Sequence, residues 1–152
     1  MTTDPALKSG GSLVNAELMR RSVAIQLVLQ RATELFAGLA GAAGDAVLQK
    51  LADIMLRAST RAGELVARYG GEEFCLLFPN STAEDAVGRV NTLLEATRKA
   101  VTKMGDISKS GITFSAGVSG FPEDGQGAQS LVDAADRVLY TAKNQGRGRV
   151  MR

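Results

Sequence analysis

Two short apolar segments in the middle of the chain flank a pair of glycines, and this feature constrains the fold most strongly. Residues 64–69 and 73–78 are each long enough for one strand, and Gly70 and Gly71 stand between them. Glycine tolerates the tight turns that reverse a chain, so the pattern predicts a β-hairpin. A fold built around this segment therefore contains an antiparallel sheet.

Strand-like and helix-like segments alternate through the rest of the chain. Residues 22–30 are rich in Val, Ile and Leu and predict a buried strand, although a helix continuing from residues 15–21 fits the same run. The other predicted elements are helices at 15–21, 33–39, 45–59, from 81 and from 130, a strand at 112–119 and an edge strand at 148–152.

Polar residues mark where these elements begin and how they connect. Ser81 with Glu84, and Ser130 with Asp133, are expected to cap the last two long helices. Residues 104–111 are predicted to be a polar connection. The order of elements predicts an α/β or α+β sandwich in which helices cover an antiparallel-rich sheet.

Composition limits the chemistry that the chain can perform. The 152 residues include no His and one Cys. The lack of His excludes Ser-His-Asp and Cys-His catalysis and zinc sites built with His, so a metal would need oxygen ligands, which suit Mg²⁺. One Cys allows no internal disulfide and fits a reducing, cytoplasmic location.

Length and charge indicate one domain without a polymeric or lipid partner. We expect a single domain over residues 15–152, preceded by a flexible lead-in at 1–14. The net charge of +2 is too small to predict binding to a nucleic acid polymer. No apolar run approaches the roughly 18 residues that span a membrane, and the first residues do not resemble a signal peptide, so no membrane partner is expected.

Two glutamates follow the central glycines. Glu72 and Glu73 would point to opposite faces of a strand unless a bulge redirects one of them. Carboxylates beside a bare glycine turn can hold Mg²⁺ against a nucleotide phosphate. Two solvated glutamates on an ordinary hairpin explain the same residues, and the turn alone favours that explanation.

The wider sequence resembles the GGDEF domains of the diguanylate cyclase family. Residues 68–74, RYGGEEF, are similar to the family signature in its GGEEF variant. Further segments match family motifs in the same order, namely AGDAVL at 43–48, ITFSAGV at 112–118, ADRVLYTAK at 135–143 and GRGRV at 146–150. The resemblance implies an α+β, nucleotidyl-cyclase-like sandwich with a central, mostly antiparallel five-stranded sheet flanked by helices.

The family condenses two GTP molecules to cyclic di-GMP between two domains that meet head to tail, with metal ions at the phosphates. The resemblance therefore implies Mg²⁺ as cofactor, GTP or cyclic di-GMP as ligand, and a second copy or another GGDEF domain as partner. The implied roles are catalysis for Glu72 and Glu73, metal binding for Glu72, and nucleotide binding for Gly70, Gly71, Asp45, Lys143 and Arg147. Lys143 and its basic neighbours also fit a solvated helix end.

The sequence departs from the family in the N-terminal half of the implied site. Counting back from Asp45 without gaps places Val28 and Gln30 where the family has metal-site aspartates. Phe36 stands where the family has a guanine-contacting Asn, and Gly41 where it has a His. Valine cannot coordinate a metal and phenylalanine cannot hydrogen-bond guanine, so we expect impaired or absent catalysis and weak or absent binding of Mg²⁺. An active cyclase is the alternative.

The family's product-inhibition motif, RxxD, matches Arg61 and Glu64. Arg61 could bind a phosphate or stack on a guanine, but an ordinary surface ion pair fits equally well. Arg89 lies near the position of a further family arginine and out of its register. Three hypotheses follow: an active cyclase, a domain that binds cyclic di-GMP or GTP without efficient catalysis, and a scaffold that only pairs with proteins.

Overall fold

The structure is a computed structural model that describes residues 22–28, 42–100, 102–104, 107–109 and 111–152. Within these residues the strands are β1 (Ser22–Val28), β2 (Leu65–Gly70), β3 (Glu73–Pro79), β4 (Thr102–Met104), β5 (Ile107–Lys109), β6 (Ser115–Gly120) and β7 (Val150–Met151). The helices are α1 (Ala42–Ala58), α2 (Ala83–Lys99) and α3 (Ala128–Asn144). The predicted lead-in at 1–14 and the predicted helices at 15–21 and 33–39 lie outside the described residues.

Five strands form one sheet in the order β2-β3-β1-β6-β7. β1 lies at the centre and pairs antiparallel with both β3 and β6, so that Ile25 faces Leu76 on one side and Val118 on the other. β2 and β3 form the predicted hairpin, and β7 runs parallel to β6. The mostly antiparallel five-stranded sheet is confirmed, and so is the strand, rather than a helix, at residues 22–28.

The two faces of the sheet pack against different helices. Side chains alternate along β3, so Phe74, Leu76 and Phe78 join one buried cluster with residues of α1 and α2. Leu77 points to the other face and packs against Leu131 of α3. The described residues therefore form a layer with α1 and α2, a central sheet and a layer with α3, as the predicted sandwich requires.

The helix starts differ from the predicted ones. Thr82, not Ser81, is the N-cap of α2, because Thr82 has extended backbone angles and its hydroxyl oxygen accepts a 3.1 Å hydrogen bond from the amide of Asp85. α3 begins at Ala128 after Gly127, and Ser130 lies inside its first turn, where its hydroxyl accepts from the Gly127 amide at 3.1 Å. The capping residues predicted at 81 and 130 are each displaced from the true cap.

Two other segments also differ from prediction. β4 and β5 pair as a small separate antiparallel sheet that begins just before the predicted polar connection at 104–111 and runs into it. Strands of three residues without apolar alternation carry no recognisable sequence signal, which explains the miss. The strand predicted at 112–119 begins at Ser115, although Ile112 and Phe114 before it are buried. Within the described residues, no helix is both long enough and apolar enough to cross a lipid bilayer.

Candidate functional site

The glycine turn of the β2–β3 hairpin is the centre of the candidate site. Gly70 pairs with Glu73, which leaves Gly71 and Glu72 in the turn, and the register shifts between Arg68 and Gly70. The Arg68 Nε donates a 2.7 Å hydrogen bond to the Gly71 carbonyl oxygen. This contact holds the turn to the strand before it, while the space beside the Gly71 α-carbon is open for at least 4 Å.

The two glutamates occupy different structural positions. Glu72 lies in the turn and Glu73 is the first residue of β3, and both are half-buried. Simple strand alternation therefore does not apply to the pair, because Glu72 lies in the turn and the register is irregular just before it. Among the residues that the structure describes, no group of three or more His, Cys, Asp or Glu side chains lies close enough to hold a metal ion.

The central strand ends beside these glutamates. Val28, the last residue of β1, is the direct partner of Glu73 across the β1–β3 ladder. Residue 28 is where the gap-free comparison places the first missing aspartate, so the chain has valine at a sheet position adjacent to the glutamate pair. Gln30 and Phe36, the other two departures considered above, lie outside the described residues.

A pocket of about 360 Å³ lies between α1 and the hairpin. Its lining consists of Asp45, Leu48, Gln49, Ala52, Asp53, Leu56 and Arg68. The pocket brings together Asp45, a predicted nucleotide-binding residue in the first turn of α1, and Arg68, which also bonds the signature turn. The pocket therefore adjoins the turn that carries Gly71 and Glu72.

The predicted phosphate-binding residues lie at the C-terminal end of α3. Lys143 is in the last turn of the helix, and Arg147 follows it with a positive φ of 62°. The Arg147 amide donates to the Ala142 carbonyl at 3.1 Å, and the next residue, Gly148, is bonded to Ser115 and Arg98. This end of α3 is therefore well anchored, but neither Lys143 nor Arg147 lines the pocket described above.

Glu64 of the predicted inhibitory motif is a buried ion-pair partner. Its side chain is 0% exposed, and its two oxygens lie 2.5 and 3.0 Å from the guanidinium nitrogens of Arg89. The Arg61 amide donates a further bond of 3.2 Å. Burial acts to raise the pKa of Glu64, but the hydrogen bonds from Arg89 and Arg61 and their positive charges outweigh it, so the pKa is lowered from 4.5.

Arg89 is held from three sides. Besides the Glu64 carboxylate, its guanidinium lies 3.8 Å from the centroid of the Phe78 ring and donates to the Ala58 carbonyl at 3.2 Å. Sequence reasoning noted Arg89 but missed this pairing, and it also missed Gln49, Asp53 and the bond made by Arg68. The spacing of Asp45, Gln49 and Asp53 by four residues is the one signal that could have grouped them on a helix face.

Comparisons with known proteins agree on one family. The family described as "Diguanylate cyclase, GGDEF domain" matches residues 39–149. Diguanylate cyclase A of Treponema denticola is 41% identical over 112 residues, which make up 72% of this chain and 29% of that protein. The chain therefore spans less than a third of that relative's length.

Solved structures show the same fold. The GGDEF domain of PA1120 (YfiN or TpbB) from Pseudomonas aeruginosa matches with a TM-score of 0.77 at 30% identity, covering 91% of this chain and 87% of that one. The GGDEF domain of DgcB from Caulobacter crescentus, in complex with c-di-GMP, matches with a TM-score of 0.76 at 24% identity, covering 90% and 86%. The predicted nucleotidyl-cyclase-like α+β fold is confirmed, and the chain belongs to the GGDEF domain family.

Proposed function

We propose that this GGDEF domain binds a guanine nucleotide, GTP or cyclic di-GMP, within cyclic di-GMP signalling and that its own cyclase activity is impaired. The observation that carries the proposal is the position of Val28 beside Glu73 in the sheet. Valine offers no ligand to a metal, so this corner of the site has lost a carboxylate while the signature turn is retained.

The residues present fit one magnesium ion better than two. Glu72 and Glu73 are the acidic side chains at the turn. In the described part of the chain, no third His, Cys, Asp or Glu side chain completes a group that could hold a metal ion. Mg²⁺ is often bound by one or two carboxylates together with substrate phosphates. We infer that Glu72, aided by Glu73, would hold a single ion that arrives with the nucleotide, and that the ion would neutralise phosphate charge.

Other residues would position the nucleotide. Asp45 would hydrogen-bond the guanine from the first turn of α1, and the bare backbone of Gly70 and Gly71 would let the phosphates approach the turn. Lys143 and Arg147 would neutralise phosphate charge from the anchored end of α3. Cyclic di-GMP synthesis would need a second GGDEF domain carrying another GTP, so the proposed partner is another copy or another GGDEF domain.

The impaired-cyclase proposal is tested by restoring the missing carboxylate. The purified chain, incubated with GTP and Mg²⁺, is expected to form no cyclic di-GMP detectable by chromatography. Val28→Asp, alone and with Gln30→Asp, should raise product formation, and Glu72→Ala in the restored chain should abolish it. Rapid product formation by the unchanged chain would instead support the active-cyclase alternative.

Binding is tested separately from catalysis. Titration calorimetry with GTP and with cyclic di-GMP, each with and without Mg²⁺, should detect heat for at least one nucleotide. A chain that binds neither nucleotide would contradict the proposal and leave the protein-pairing scaffold as the remaining hypothesis.

Arg61 offers a second place where cyclic di-GMP could bind. Both carboxylate oxygens of Glu64 already accept hydrogen bonds, so a ligand there would be held chiefly by the exposed Arg61. Arg61→Ala should weaken binding of cyclic di-GMP but not of GTP if this place is used. An unchanged affinity for both nucleotides would assign binding to the turn and pocket instead.

A further inference from the structure

The segment that follows α3 has a strained backbone. Gly146, Arg147 and Gly148 have positive φ angles of 111°, 62° and 57° in succession. Glycine adopts this left-handed region freely, whereas an arginine there costs free energy because its β-carbon crowds the backbone. Among the described residues, the other non-glycine residue with a positive φ is Asn80, a residue type that tolerates this region. The strain at Arg147 therefore requires contacts that hold its backbone in place.

The peptide groups on both sides of Arg147 are held by hydrogen bonds. On one side, the Arg147 amide donates to the Ala142 carbonyl at 3.1 Å. On the other, the Gly148 amide donates to the hydroxyl of Ser115, 33 residues away, at 3.0 Å. The Gly148 carbonyl oxygen accepts a 2.7 Å hydrogen bond from a guanidinium nitrogen of Arg98, 50 residues away. Two distant elements, β6 and α2, thus fix the backbone that follows Arg147.

The two side chains that hold Gly148 are themselves fixed in position. Ser115 is the first residue of β6 and is 0% exposed, so its hydroxyl lies at a fixed point of the sheet. Arg98 is in the last turn of α2, and its second guanidinium nitrogen pairs with Glu95 one turn earlier. The Arg98 carbonyl also accepts a 3.1 Å hydrogen bond from the Gly111 amide. Both contacts to Gly148 therefore start from anchored groups.

We propose that Ser115 and Arg98 are positioning residues that hold Arg147 where its guanidinium contacts a nucleotide phosphate. The proposal rests on the guanine-nucleotide binding proposed above and adds two residues that do not touch the ligand themselves. The Arg147 side chain is exposed, so a ligand can reach it. A backbone that is fixed beforehand strengthens a charge-assisted contact, because less conformational entropy is lost when the ligand binds. Strained residues of this kind cluster at ligand-binding sites.

The test is a double-mutant cycle on the binding of GTP. Calorimetry in the presence of Mg²⁺ gives the dissociation constants of the full chain, of Arg147→Ala, of Arg98→Ala and of the double variant. Arg147→Ala should weaken GTP binding by about tenfold through the loss of a charge-assisted contact. Arg98→Ala should weaken it by about threefold in the chain that keeps Arg147. In the Arg147→Ala chain, Arg98→Ala should have no further effect, because Arg98 acts through Arg147.

Two further variants separate positioning from charge. Ser115→Ala changes no charge, yet it should weaken GTP binding by about threefold when Arg147 is present and not when Arg147 is replaced. Arg152→Ala is the matched control, because it removes the same charge as Arg98→Ala and also breaks an ion pair. Arg152 pairs with Glu84 in the first turn of α2, at the opposite end of that helix from Arg98, and its loss should leave the dissociation constant unchanged.

Circular dichroism and melting curves establish that each variant folds, and Arg98→Lys, which keeps a donor, should recover part of the affinity that Arg98→Ala loses. If Arg98→Ala weakens GTP binding equally with and without Arg147, or if neither Arg98→Ala nor Ser115→Ala changes the dissociation constant, the positioning proposal is wrong while the proposed function stands. Binding of cyclic di-GMP but not of GTP would have the same meaning. If the unchanged chain binds neither nucleotide, both proposals are wrong.

Discussion

Among individual residues, Glu64 is a charged group whose side chain the structure buries and pairs. Its carboxylate has no solvent exposure and accepts hydrogen bonds from Arg89 and from the Arg61 amide. Arg89 also stacks on Phe78, so the pair joins α2 to the start of β2 and to the face of β3. Removing one member of such a pair leaves the other partly desolvated without its counter-charge.

We predict that Arg89→Ala and Glu64→Gln each lower the free energy of unfolding by about 2 kcal/mol, between the values for exposed and buried pairs. Denaturant titration of each variant measures the loss. Glu95→Gln is the matched control, because Glu95 pairs with Arg98 at an exposed position and should cost at most about 0.5 kcal/mol. Equal losses in Glu64→Gln and Glu95→Gln would contradict the buried-pair interpretation.

The same residue predicts a pH dependence. The folded-state pKa of Glu64 is lowered from 4.5, so the unfolded chain takes up a proton at this group more readily than the folded one does. Its contribution to stability is therefore complete above about pH 4.5 and is lost as the pH falls through the lowered pKa. Unfolding curves of the unchanged chain should show this loss, and it should be absent in Glu64→Gln.

At the scale of secondary-structure elements, end caps and close packing determine where the helices begin and how closely they pack on the sheet. α2 begins with a side-chain cap from Thr82, whereas the neighbouring Ser81 hydroxyl is buried without a hydrogen-bond partner among the described residues. α3 packs so closely on β6 that a β-carbon on Gly117 would lie 2.0 Å from the Ala135 carbonyl oxygen. Both details fix the position of a helix relative to the sheet.

We predict opposite outcomes for the two residues before α2. Thr82→Ala should lower the free energy of unfolding by about 1 kcal/mol, because the Asp85 amide loses its partner. Ser81→Ala should be neutral or slightly stabilising, since it removes a buried hydroxyl that lacks a partner. Denaturant titration measures both variants. A larger loss of unfolding free energy in Ser81→Ala than in Thr82→Ala would indicate that Ser81 is the N-cap.

We predict that alanine substitutions at two glycines change the stability of the fold in opposite directions. Gly117→Ala should destabilise the fold by about 3 kcal/mol or more, because strand and helix backbones must separate to admit the methyl group. Gly88→Ala, inside α2 with open space around it, should stabilise by about 0.5–1 kcal/mol through helix propensity. Thermal and chemical unfolding of both variants test this, and a tolerated Gly117→Ala would contradict the close contact.

At the scale of the whole molecule, the candidate site lies at one end of the sheet. The end of β1, the hairpin turn and the pocket along α1 meet there. On the opposite face of the sheet, the anchored end of α3 carries Lys143 and is followed by Arg147. Ligand binding at this end should stabilise the entire fold, because the site exists in the folded chain and not in the unfolded one.

We predict that GTP with Mg²⁺ raises the melting temperature of the chain. At a ligand concentration of 100 times the dissociation constant the added stability is about 2.7 kcal/mol. Asp45→Asn should reduce the shift, whereas Asp136→Asn should leave it unchanged. Scanning fluorimetry over a range of GTP concentrations measures it, and a melting temperature that stays constant to millimolar GTP would contradict nucleotide binding.

The sequence by itself determined the hairpin, the order of the five strands of the main sheet and of α1, α2 and α3, and the family motifs, because turn residues and side-chain periodicity are local properties of the chain. Only the tertiary structure decided that Glu64 pairs with Arg89, 25 residues away, that Arg68 bonds the Gly71 carbonyl, and that Val28 stands beside Glu73. Contacts between distant segments depend on strand register and on packing of helices against the sheet. No local pattern encodes those, so only the folded chain shows that Arg68 lies at the same pocket as Asp45.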